Sequence, residues 1–133
     1  MRRFRTERGT ASLELALVTP VLMLLVLGVL QFGLWYHAEH VGRTAALEAA
    51  RTAAAEDGSA EAARNRGLEV LGAGLGHGGT DPAVSVDIGS DAARVTVTAR
   101  IGGLLPIPGL SSFALHSEAV AYRERFRPAG DSP

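Results

Sequence analysis

Two regimes of hydrophobic and polar patterning divide this chain. From Leu13 to Tyr36 it reads LELALVTPVLMLLVLGVLQFGLWY, with Glu14 the sole residue formally charged at neutral pH. Val21 to Leu30 is apolar around the whole circumference of a helix, so no wet face is available there. A helix of this length, at about 1.5 Å per residue, can span a hydrocarbon core about 30 Å thick with some tilt. The pattern therefore predicts a transmembrane helix. A secretory signal would have a shorter apolar region and a small-residue cleavage site, and Gln31 to His40 offers no such site. The remainder of the chain is too small to enclose the segment as a core helix.

Past Tyr36 the spacing becomes that of a water-soluble domain. His37 to Ala55 is rich in helix formers, so the helix continues outward or restarts after a small break at Gly42, with Glu39 and Arg43 as an i,i+4 ion pair. Asp57-Gly58-Ser59 interrupts it, and Ser59 is the expected N-cap of a second helix reaching about Leu71, with Glu61 in its first turn. Gly72, Gly74, Gly76, Gly78 and Gly79 predict a flexible connection without regular structure. Strict alternation follows at Val84-Val86-Ile88 and at Val95-Val97-Ala99-Ile101, with Gly89-Ser90-Asp91 as a hairpin turn.

Ala114 to Arg123 reads as a third strand or as a helix. A lone hairpin is marginal in water, so it must pack on the preceding helix or on that third element. The apolar loop Gly102 to Leu110 is either a lid over the sheet edge or a contact with a neighbouring subunit or the outer membrane leaflet. The expected fold is α+β: a long N-terminal transmembrane helix continuing into an extracytoplasmic helix, then a small antiparallel head. Its divisions are a basic leader (1–9), the transmembrane helix (10–36), an extracytoplasmic helical segment (37–75) and a β-rich head and tail (76–133).

Charge adds direction. Arg2, Arg3, Arg5 and Arg8 precede the apolar run against Glu7 alone, which places the N-terminus in the cytoplasm and the rest of the chain outside, anchored as a single pass in the cytoplasmic membrane. Trp35 and Tyr36 suit the headgroup level at the far end. The whole chain carries 13 basic and 14 acidic residues, so no net field favours nucleic acid. The absence of cysteine excludes disulfides, thiolate ligands and a thiol nucleophile.

Chemical motifs are scarce. His37, Glu39 and His40 lie close together, but two histidines and an acid fall short of a metal site, and headgroup-facing polarity accounts for them more simply. His77 and His116 have no spacing that joins them. Asp81, Asp87 and Asp91 solvate a loop and a hairpin, while Glu118 and Glu124 dilute the basic residues Arg94, Arg100, Arg123, Arg125 and Arg127. No phosphate loop, nucleophile elbow or zinc-protease helix is present, so neither a catalytic residue, a metal site nor a cofactor is expected.

Within the membrane segment three features stand out. Pro20 lacks an N–H and should free the carbonyl of Ala16, loosening or kinking the helix. Gly28 and Gly33 permit close helix packing but are five apart, not the four of a GxxxG face. Glu14 is an acid where an unpaired charge is penalised by about 2.5 to 3.5 kcal/mol at the bilayer centre and by less near the boundary.

Arg8-Gly9-Thr10-Ala11-Ser12-Leu13-Glu14 resembles the type IV prepilin processing signature. That likeness implies cleavage between Gly9 and Thr10 by a prepilin peptidase, with Glu14 as the fifth residue of the mature chain. The cut would create an α-amino group with a pKa of about 7.7 to 8, a cationic partner for the acid of a neighbouring subunit. The wider stretch Arg8 to Arg51 is similar to the TadE-like family of pseudopilins through Gly9, Glu14, Pro20, Gln31-Phe32-Gly33 and Ala50-Arg51. Leu13, Gln31 and Leu34 depart from the commoner residues at their positions.

The resemblance implies a minor pseudopilin of a tight-adherence pilus or secretion system. Its partners would be the peptidase, the assembly platform, other pilin-like subunits and the lipid bilayer. The alternative is an unprocessed, membrane-anchored binding module that tolerates changes at Gly9 and Glu14.

Overall fold

The computed structural model describes residues 7–104, 108–109 and 111–123, with side chains from residue 11 onward. Leader residues Arg2, Arg3 and Arg5, residues 105–107 and 110 of the apolar loop, and Glu124, Arg125 and Arg127 lie outside the described residues. One helix, α1 (Glu7–Ala54), contains the whole apolar run and continues without interruption into the head. Pro20 lies inside it, and just before it the Thr19 hydroxyl donates to the Leu15 carbonyl at 2.6 Å. Gly42 causes no break.

The chain turns at Ala55–Ser59, where the Gly58 amide donates to the Ala55 carbonyl at 2.9 Å. A side chain at Gly58 would collide with the carbonyls of Thr52 and Ala53, and backbone atoms cannot yield as a flexible side chain would. Helix α2 (Ala60–Leu75) then begins as expected: the Ser59 hydroxyl accepts from the Ala62 amide at 3.1 Å, and Glu61 lies in the first turn.

The glycine-rich stretch departs from expectation. Helix α2 runs through Gly72 and Gly74 to Leu75, a 3-10 turn follows at Gly76–Gly78, and the first strand already begins at Gly79. Tertiary packing overrides the low helix propensity here. A Cβ on Gly74 would come within 2.5 Å of Val41, so the missing side chain is what lets α2 approach α1. Gly76, with φ of 52°, ends the helix and its N–H bonds back to the Gly72 carbonyl.

Three strands, β1 (Gly79–Ile88), β2 (Ala92–Gly102) and β3 (Ser112–Tyr122), form an antiparallel meander in the order β1-β2-β3. The expected hairpin is present, its turn closed by the Gly89 amide on the Ala92 carbonyl at 2.9 Å, and the third run is a strand. The register slips between Thr80 and Ala83, where Asp81 has φ of 50° and Pro82 has no amide to donate. A bulge and a proline on an edge strand protect it against pairing with another chain.

The head has two layers, with α1 packed on β2 and β3, and α2 on α1 and β1. Alternation along the strands turns Val84, Val95, Val97, Ala99, Ile101, Leu115 and Ala119 inward. They meet Ala38, Ala45, Ala46, Ala49 and Ala50 of α1 and Leu71 of α2, all buried. The helix crossing is thus built from alanine and glycine, while the bulk is supplied by the sheet. Gly42 sits over Ser117 and Leu115, where an added Cβ would lie 2.8 Å from the Ser117 hydroxyl and 2.9 Å from a Leu115 methyl. That hydroxyl is buried without a hydrogen-bond partner, a local cost of the close approach.

Candidate functional site: the bare half of α1 and its junction with the head

The residues singled out from sequence all fall on α1. Gly9 and Thr10 are in its first turns, and Glu14, Pro20, Gly28 and Gly33 follow along exposed surface. Among the described residues, no neighbour outside the helix backbone lies within 4 Å of a Cβ built on Gly28 or Gly33. Most of the leucines and valines, with Met23 and Phe32, stand more than half exposed along this half, the reverse of the usual interior preference. Such a surface suits lipid or another chain as its covering. Its length and composition fit a membrane anchor.

Between residues 11 and 36 Leu27 and Gln31, one turn apart on one face, are the most covered. The Gln31 Oε1 atom accepts the backbone amide of Leu104, in the connection between β2 and β3, at 2.8 Å. Sequence reasoning missed this contact because it joins positions 73 apart, and no periodicity reports such a pairing. The same connection is closed at its neck by the Gly103 amide on the Ser111 carbonyl at 2.8 Å.

One turn above Gln31 the helix carries a polar and aromatic collar. Phe32 and Trp35 have ring centroids 5.7 Å apart, and Tyr36 and His40 5.8 Å. His37 Nε2 donates to the Gly74 carbonyl at 3.2 Å, which fixes the end of α2 to α1. Glu39 accepts from Arg43 at 3.3 Å, the pair expected from their spacing. The three neighbours His37, Glu39 and His40 are therefore engaged with three different groups. Among the described residues, no three histidine, cysteine, aspartate or glutamate side chains are grouped so as to hold a metal.

Above the collar, α1 and α2 diverge to leave a groove of about 570 Å³, lined by His40, Val41, Thr44, Arg66, Val70 and Ala73 among others. Arg66 is held by Glu69 at 3.0 Å and Glu48 at 3.6 Å. The hydrogen bond to Glu69 is the main reason its guanidinium pKa is raised above the ordinary value. The groove is mainly apolar, and its charged residues already pair with each other, so it lacks a free acid, base or nucleophile aimed at a common point.

What the geometry supplies is a helix that fits a membrane anchor, with large apolar residues exposed along it. No curated protein and no solved structure matches the chain. The family model described as TadE-like protein matches residues 9–51, from Gly9 through the bare half of α1 to Arg51 where the helix is buried in the head. Over that helix the chain is similar to TadE-like proteins.

Proposed function

We propose that this protein is a minor pseudopilin-like structural subunit of a tight-adherence type IV pilus assembly or secretion system, processed between Gly9 and Thr10. The observation that carries the reading is the extent of the family match. It opens at Gly9, the residue on the leader side of the expected cut, and covers a helix whose first half has almost no partners among the described residues. Subunits that assemble by bundling N-terminal helices need such a surface. Glu14, exposed on it, is available to pair with the new α-amino group of a neighbour.

In this reading a prepilin peptidase removes the leader. Neighbouring pilin-like subunits cover the bare helix, and an assembly platform receives the subunit from the cytoplasmic membrane, with the head extracytoplasmic. The head works as a spacer and contact surface.

Mass spectrometry of the membrane-bound protein, co-expressed with its peptidase, tests the reading directly. A chain beginning at Thr10 is expected, together with loss of assembly, but not of membrane insertion, in Glu14→Gln. An intact leader, with Gly9 and Glu14 both replaceable without effect on assembly, would establish the anchored binding module instead.

A further inference from the structure

We propose that the neck of the connection between β2 and β3, at Gly103–Leu104, is a second membrane contact that rests in the lipid leaflet next to the head. The proposal depends on α1 being a membrane anchor, and its partner is the hydrocarbon just below the headgroups. Depth is the first argument. Gln31 lies inside the apolar run, five residues before Tyr36, hence about 7.5 Å deeper along the helix than that aromatic terminus. Leu104 is tied to it by a hydrogen bond of 2.8 Å, so the connection reaches below the aromatic collar.

Satisfaction of the backbone is the second argument. Non-helical backbone is tolerated at membrane depth only where its polar groups find partners within the protein. The two consecutive amides of the neck both do: Gly103 bonds to the Ser111 carbonyl and Leu104 to Gln31. The same bond gives an internal partner to the carbonyl of the only amide side chain in the apolar run.

Chemistry of the segment is the third argument. The Leu104 side chain is 50% exposed although it is bonded through its backbone. From Leu104 to Leu110 the sequence is LLPIPGL, without a charged or hydrogen-bonding side chain, and its two prolines bring no amide donors. The outward face of the sheet contrasts with it, carrying Arg94, Thr96, Thr98, Arg100, His116 and Glu118. A mainly polar sheet face and an apolar residue, Leu104, tied to the apolar half of α1 fit a head that leans onto the bilayer.

The lack of cysteine makes a clean experiment possible. Leu104→Cys, Pro108→Cys, Thr98→Cys and Val29→Cys, each in the full chain, are labelled with an environment-sensitive fluorophore and reconstituted in phosphatidylcholine and phosphatidylglycerol vesicles. Nitroxide-bearing lipids and iodide on both sides of the vesicle serve as the two quenchers. The labels at 104 and 108 are expected to behave like that at Val29, blue-shifted and quenched from the lipid. The label at Thr98 should be quenched by iodide. Gln31→Ala is expected to return the label at 104 towards iodide access.

Labels at 104 and 108 that follow Thr98, with Val29 still lipid-quenched, would overturn the proposal while leaving the anchor intact. Labels shielded from both quenchers would overturn it in favour of a protein contact. Iodide access at Val29 would overturn the anchor reading itself.

Discussion

The two halves of α1 obey opposite rules although they are one helix. Before Tyr36 its large apolar residues are exposed and, among the described residues, no other element lies near its glycines. After His37 its buried positions are alanines, and Gly42 touches the opposing sheet. The difference comes from what covers each half. In the head, α2 and β3 approach so closely that only small residues fit, and stability comes from interdigitation with Val95, Val97 and Leu71. In the bare half the described residues supply almost no covering, and the bulk there suits transfer into lipid or contact with another helix. Burial within one chain thus measures importance in the first case and says little in the second.

Substitutions in the two halves should separate these roles. The largest expected effect is Leu71→Ala, about 2 to 5 kcal/mol of head stability, because Leu71 is among the few large side chains almost fully enclosed. Leu24→Ala in the bare half should stay within about 0.5 kcal/mol by the same readout, the urea dependence of protease resistance in detergent micelles. Equal losses at both sites would dissolve the distinction.

A second pair uses glycine. Gly42→Val should cost about 1 to 3 kcal/mol because the added atoms enter space held by Ser117 and Leu115. Gly28→Val, with open space around it, should leave the head unchanged, so any effect it has must appear in assembly. Ser59→Ala removes the cap of α2 and is expected to cost about 1 kcal/mol, visible as faster amide exchange in the first turn of that helix. The smallest effect belongs to Glu118→Gln. Its 2.9 Å pair with Arg94 lies on the open sheet face, so roughly 0.2 to 1 kcal/mol is expected, and less in high salt.

Much of this organisation was legible in the sequence. The apolar run, the Ser59 cap, the Gly89–Asp91 turn and the alternating strands each follow from local pattern, and each is present. Local rules failed where distant residues decide. Gly72 and Gly74 read as a flexible link, yet contact with Val41 makes a helix there favourable. Ala114 to Arg123 was ambiguous alone and becomes a strand because β2 offers a partner for every residue from Ser112 to Tyr122. For the candidate site, Gly9 and Glu14 emerged from a motif. The Gln31–Leu104 bond, by contrast, needed the fold to bring together the helix and the tip of the sheet.

The unbroken passage of α1 from anchor to head has a rotational consequence. Because one helix carries both, the azimuth of the anchor and the compass bearing of the sheet are a single coordinate. Each residue added or removed between Val21 and Leu30 would turn the head by about 100° and move it by about 1.5 Å. Anything that grips the bare half from a defined side therefore also aims the outward face of the sheet. A one-residue insertion in the anchor is expected to leave the head folded and pointing elsewhere.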